Sequence, residues 1–302
     1  MANEIVYDST NLRAAEVLNR EIWDLLFDAT DLRQICTKVA DLGGSGSAVS
    51  KTAQANFGTA MSAANGDEIT PAGNSSLPVD NLSITIAQQI IAYELSDMMQ
   101  ITNSGNLGMA QLAQAVANAY IVRFTEMACS AGSGFSNTVG SSGVDLTVDD
   151  VYAAVFQLET TVNNPPFSAV LYPTQWTDLQ ESLRSEGGAV QFMPATAEAL
   201  KIHGQGYKGS FLGVDWYTSD LIPDANGGAD SAGFMMAAGG LAYAEASAQG
   251  ALPGAIMAPS ASPVYAEFDR VADPGLSRIV AHAFLGLSIG EDNRGVAIIT
   301  DR

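Results

Sequence analysis

Leu18, Ile22, Leu25, Ala29, Leu32, Ile35 and Val39 recur at spacings of three and four. That period places them on one stripe and predicts helix over residues 10–42, broken near 28–31. Trp23 and Phe27 widen the stripe, so the segment packs either within its own domain as an ordinary core helix or against a neighbouring chain as well. From residue 43 to 81 the pattern lapses into Gly, Ala, Ser, Thr and Asn, with Phe57 as its aromatic and turn signals at Asn65-Gly66-Asp67 and Pro71-Ala72-Gly73-Asn74. Such a stretch has too little apolar surface to build a core. Leu82, Ile84 and Ile86 then alternate with Ser83 and Thr85, the signature of a half-buried strand leaving a long hairpin. Connections of this length are functional, disordered or ordered by contact, and contact with another subunit is the expectation.

Helical spacing returns at residue 106. Leu112, Val116, Tyr120, Phe124 and Met127 share a face, while Ala113, Ala117 and Ala119 allow close approach. Continued to about residue 130, this is a rod of roughly 35 Å at 1.5 Å per residue. A Gly/Ser stretch over 132–143 marks a boundary. Thr147 then reads as an N-cap with Asp149 and Asp150 in the first turn, ahead of Val151, Val155, Leu158 and Val162. A buried strand over 168–172 stops at Pro173, followed by a helix carrying Trp176, Leu179 and Leu183. A further helix is predicted around 195–202, strands over 211–218 and 234–238, and a closing β-meander from 264–270, 278–290 and 295–300. The class is α+β, and no repeat of 20 to 50 residues is visible.

Composition narrows what such a chain can be. At 302 residues and 47% hydrophobic it can bury a large core in one domain or two packed ones. Its apolar runs fall far short of the roughly 20 residues that cross a bilayer. The N-terminus lacks a basic segment leading into an apolar one, so no secretory signal is expected. Thirteen Lys and Arg against 33 Asp and Glu give a formal net charge of −20. The basic residues are unclustered, which argues against direct nucleic-acid binding. A wall that merely encloses DNA is compatible with that charge, because a repelling surface lets DNA move without sticking.

Candidate chemistry is sparse. His203 and His282 are far apart in sequence and read as satisfied histidines, and Cys36 and Cys129 as reduced packing residues. Residues 224–230 distantly resemble a calcium loop but lack the later bidentate Glu, so a solvated surface loop is expected. Gly204-Gln205-Gly206-Tyr207-Lys208-Gly209 has the Gly-x-Gly-x-x-Gly spacing. It follows a helix and opens a strand, the reverse of the dinucleotide context, and reads as a turn. No catalytic, cofactor-binding or metal-binding residue is assigned.

The run 169–179, Ala-Val-Leu-Tyr-Pro-Thr-Gln-Trp-Thr-Asp-Leu, together with 211–219, Phe-Leu-Gly-Val-Asp-Trp-Tyr-Thr-Ser, resembles tailed-phage major capsid proteins of the Hong Kong 97-like fold. Residues 283–287 and 294–298 are similar to that family's C-terminal strands. The resemblance implies an N-terminal arm (1–42), an extended β-hairpin loop (43–93), a peripheral domain with a long spine helix (94–144 and 260–302) and an axial domain (145–259). It implies hexamers and pentamers that self-assemble into an icosahedral shell around double-stranded DNA without sequence-specific binding. Assembly would take place in the host cytoplasm, with the virion as destination and no membrane involved. The early first helix implies a separate scaffold protein or none, and a decoration protein is a further possible partner. Some members join a Lys to an Asn; Lys51 and Asn293 are of the right types, but cross-linking is not expected. Three other readings stay open: an encapsulin-like nanocompartment shell, an enzyme of an unrecognised α/β family, and a monomeric receptor-binding or adhesin domain.

Overall fold

The computed structural model describes residues 18, 20–22, 24–25, 32–43, 48–54, 79–96, 109–162, 166–185, 193–204, 206–247, 264–271 and 276–302. The strands in chain order are β1 (Thr37–Gly43), β2 (Ala48–Gln54), β3 (Val79–Thr85), β4 (Ala87–Ser96), β5 (Thr138–Val139), β6 (Phe167–Leu171), β7 (Met193–Pro194), β8 (Tyr207–Phe211), β9 (Val214–Thr218), β10 (Asp224–Ala225), β11 (Asp230–Ala237), β12 (Leu241–Ser247), β13 (Val264–Val271), β14 (Leu276–Ile289) and β15 (Gly295–Asp301). The helices are α1 (Met109–Gly132), α2 (Val148–Val162), α3 (Pro173–Ser185) and α4 (Ala197–His203).

Two sheets organise these elements. In the five-stranded sheet, β14 is the hub. One of its edges carries β4 antiparallel over Leu276 to Leu285, and the other carries β13 and then β12 end to end. β1 pairs parallel with β12 on the outside. The eight-stranded sheet has the order β5-β15-β11-β6-β9-β8-β7, with β10 on β11. β2 and β3 form a separate antiparallel ribbon. The long helix α1, 24 residues and so about 36 Å, lies against β14 with Leu112, Val116, Tyr120 and Phe124 buried.

The predicted helices around the second sheet are present, for the local reasons the sequence suggests. At α2, the Thr147 hydroxyl accepts the Asp150 N–H at 3.3 Å and the Asp150 carboxylate accepts the Thr147 N–H at 3.0 Å. This reciprocal cap satisfies two donors of the first turn. Pro173 opens α3, where its missing N–H costs nothing.

Four expectations need correction. Helix does not run to residue 42: residues 18, 20–22, 24 and 25 are helical, but Leu32–Gln34 is one 3-10 turn and 37–43 is β1. A parallel partner some 200 residues away outweighs the local spacing of Ile35 and Val39. Residues 211–218 are not one strand but the end of β8, a turn and β9; Leu212 (φ 54°) and Gly213 (φ 72°) both adopt the left-handed region that a two-residue hairpin turn requires. Residues 241–247 form β12, a strand not foreseen. The terminal meander does not form, because β13 and β14 pair with each other while β15 crosses to β11 in the other sheet. The block 260–302, expected to serve one domain, is thus divided between the two sheets, and β12, from the 145–259 block, joins the five-stranded one.

Candidate functional site

His203 ends α4 beside the eight-stranded sheet, His282 lies in the five-stranded sheet, and each is engaged. His203, the last residue of α4, has Nδ1 3.1 Å from the Tyr217 hydroxyl and stacks on Tyr207 at 4.5 Å between centroids. The Tyr207 hydroxyl donates to Asp215 at 3.3 Å. Burial, then the Asp215 charge, pushes both phenols above their usual range, so they stay protonated. His203, Asp215 and Tyr217 border an open groove of about 250 Å³ that also involves Gln34 and Ser168. His282 on β14 has Nδ1 2.9 Å from Gln88 Nε2 and Nε2 3.8 Å from Glu267. His203 is thus held by two strands of the sheet it packs against, and His282 by the strands on either side of its own.

The remaining sequence candidates resolve into scaffolding contacts. Cys129 is buried in α1 and burial pushes its thiol to about 12, far from a reactive thiolate at neutral pH; Cys36 is also a buried free thiol. Gly204 caps the C-terminal end of α4 and β8 begins at Tyr207, so the turn reading holds for Gly204 and Gly206, while Lys208 and Gly209 lie in the strand. In the 224–230 loop, residues 224–229 reach the surface but Asp230 is buried. Its carboxylate accepts the Gly143 N–H at 2.9 Å and the Asn226 side-chain amide, and with Ser142 these donors hold it below the usual carboxylate range. Asp224 pairs with Arg302. The carboxylates are spent on structure, and among the described residues no group of three or more His, Cys, Asp or Glu converges as a metal site.

Two polar devices went unrecognised in the sequence. Gln175 is fully buried, and its Oε1 accepts the Tyr172 N–H at 3.1 Å. Its Nε2 donates to the Ser231 carbonyl at 2.9 Å, the Ile298 carbonyl at 3.2 Å and the Thr300 hydroxyl at 2.8 Å. One side chain thereby ties the start of α3 to β11 and β15. Buried Glu245 on β12 accepts from the Tyr120 hydroxyl of α1 at 2.7 Å and pairs with Lys38 of β1 at 2.8 Å, which joins the long helix to the five-stranded sheet. A Gln three residues into a predicted helix is a capping signal. Its reach to strands 56 and more residues away has no local signature.

The ribbon β2–β3 is the expected hairpin, with Lys51 opposite Leu82 in register. Asn293 lies in the 3-10 turn Asp292–Arg294 between β14 and β15. At the ribbon's root β3 passes directly over β14. A Cβ on Gly286 would sit 2.4 Å from the Thr85 carbonyl oxygen, so only glycine admits the crossing. Ile84 is buried there with Ala242 and Ala244, flanked by Val39 and Ile86. The tip, residues 55–78, lies outside the described residues.

Among the described residues of the eight-stranded half, large apolar side chains are exposed at Val144, at Tyr152 and Phe156 on α2, and at Met193, Leu200 and Ile202 on β7 and α4. A surface of this kind mates with another surface more readily than it processes a small substrate.

No protein-family model matches the sequence, and no curated protein does either. Solved structures do match by shape. The head of Helicobacter pylori bacteriophage KHP40 aligns with a TM-score of 0.62 at 11% identity, covering 90% of this chain and 90% of that one. The encapsulin SrpI complex of Synechococcus elongatus PCC 7942 aligns with a TM-score of 0.60 at 12% identity, covering 89% and 87%. A virus-like particle from Pyrococcus furiosus aligns with a TM-score of 0.56 at 10% identity, covering 94% and 98%. Agreement over so much of both chains in each comparison makes the likeness one of whole architecture. The chain has the α+β Hong Kong 97-like fold found in phage capsids and an encapsulin.

Proposed function

We propose that this protein is the repeating structural subunit of a closed shell, the major capsid protein of a tailed phage, and that it is not an enzyme. The observation that carries the reading is the whole-chain likeness to subunits of such particles. Residues 1–42 would be the arm and 43–93 the extended loop. Residues 94–144 and 260–302 would supply the peripheral domain, and 145–259 the axial domain, with β15 contributed to the axial sheet and β12 to the peripheral one. The uncovered apolar groups on α2, β7 and α4 suit a chain whose surface is completed by copies of itself. Hexamers and pentamers of the chain would enclose double-stranded DNA by confinement, which the net charge of −20 favours over adhesion. The virion would be its destination, with assembly in the host cytoplasm and a separate scaffold or decoration protein as possible partners.

Negative-stain electron microscopy with sedimentation velocity on the purified chain tests this directly. Closed particles or capsomer rings are expected, in greater yield at moderate than at low salt because like-charged subunits repel until screened. A chain that stays monomeric in salt and crowding agent, with or without co-expressed scaffold candidates, overturns the reading. An encapsulin-like compartment is the second reading, favoured by the comparable match to the SrpI complex. Particles purified from the native source separate the two: nuclease-protected double-stranded DNA supports the capsid, and a packaged protein supports the compartment.

A further inference from the structure

The eight-stranded sheet carries an uncovered apolar patch at each end. At one end α2 packs on β5, β15 and β11 through Val148, Val151, Ala154, Val155 and Leu158. Its opposite face presents Tyr152 and, four residues on, Phe156, which is 67% exposed. Exposed Asp149 and Glu159 lie one turn before and one turn after this pair, giving an aromatic stripe with an acidic border.

At the other end β7 is the edge strand and α4 packs on β8. Met193 (65% exposed), Ile202 (64%) and Leu200 (38%) form the uncovered surface there. Lys208 stands on β8, in the strand next to β7. Lys38, Arg123, Arg278, Arg294 and Arg302 each have a carboxylate partner. Lys208 has none among the described residues.

We infer that the α2 stripe of one copy docks on the β7–α4 patch of the next, Phe156 against Met193 and Ile202 and Glu159 towards Lys208, as the ring-forming contact of the proposed shell. This rests on the shell reading and adds which faces meet. The partner is a second copy because one chain carries both halves, an acidic-bordered aromatic surface and an aliphatic surface with an unpaired cation. The two halves lie at opposite ends of one sheet, so the contact is head-to-tail. Such a contact propagates from copy to copy and closes into a ring, whereas a patch that met itself would stop at a dimer. Aromatic anchors within a charged border are also the usual anatomy of a strong contact.

Phe156→Cys and Ile202→Cys, singly and together, test it with a short bis-maleimide on assembled particles; the native cysteines are buried and give little background. The double variant should produce a covalent ladder extending past the dimer, a mixture of the two single variants should produce dimers, and each single variant alone should produce none. Glu159→Lys should reduce particle yield at least tenfold, and Lys208→Glu in the same chain should restore it, with the melting of the unassembled chain unchanged in both. Particles that form without a ladder in the double variant overturn the inference and leave the shell reading standing. Dimers from Phe156→Cys alone overturn the head-to-tail arrangement. Wild-type chains that never assemble overturn both.

Discussion

The core of the eight-stranded half and the root of the β2–β3 ribbon are held in different ways. The first buries Trp216, Phe167, Leu158, Leu171, Leu179 and Met235 at once, and seals its polar seam with the four hydrogen bonds of Gln175. The second buries Ile84 against Ala242 and Ala244 and relies on a bare glycine for clearance. Apolar area is the main source of folding free energy, so one region is stable by its own burial and the other is a lightly clamped extension. On the proposed shell reading, the first would be the rigid body that repeats and the second an extension that lies across a neighbouring copy.

The largest effect is expected where the dense core is opened. Trp216→Ala should cost about 3–5 kcal/mol, read as a drop in the urea midpoint of the unassembled chain. Gln175→Leu keeps the bulk but strands the groups that Gln175 satisfies, and should cost about 2–3 kcal/mol. If it proved neutral, the seam would be stabilised by packing alone. Ile84→Ala should cost about 2 kcal/mol or less, near the bottom of the range for such truncations because the cluster is small. Its signature is local: faster amide exchange in β2 and β3 with β11 unchanged. A global loss equal to that of Trp216→Ala would erase the contrast between the regions.

The smallest effects are electrostatic and of opposite sign. The Asp230 carboxyl is lowered by its hydrogen bonds from Ser142, Asn226 and Gly143. Its folded value lies below the unfolded one of about 3.9, so its contribution is present above that pH and is lost as the pH falls through the folded value. Asp178 is raised, first by burial and then by Asp145, Asp301 and Glu181. The stability it lends while protonated is full below about pH 3.9 and is lost as the pH rises through its raised value. Asp178→Asn should therefore stabilise the protein slightly at neutral pH, with the gain vanishing in acid. Asp230→Asn should destabilise it at neutral pH and flatten the acid limb. Urea midpoints measured across that range check both signs.

Much of the architecture was legible where one short stretch held the whole cause. The α1 face, the Thr147 cap, the strand ended by Pro173, the glycine turn at Gly204 and Gly206 and the alternation of residues 82–86 all act within a few positions of themselves. The resemblance carried by 169–179 and 211–219 pointed to the fold that the shape comparisons found. The histidines, cysteines and glycine motif were readable as scaffolding because each lacked a chemical companion nearby in sequence. The Gln175 clamp and the Glu245 link were not readable, since each depends on groups distant along the chain.

By itself the sequence determined helices α1 to α4, the Thr147 cap, the strands β3, β6, β11, β13, β14 and β15, and the sparseness of His and Cys, because periodicity, capping and composition are local or additive. Only the tertiary structure decided that residues 37–43 are a strand, that β15 leaves its neighbours for β11, and that Leu212 and Gly213 turn a hairpin. Strand identity depends on a partner's backbone, and that partner is chosen by the burial of the whole chain at once: β1 becomes a strand because β12 offers it an edge.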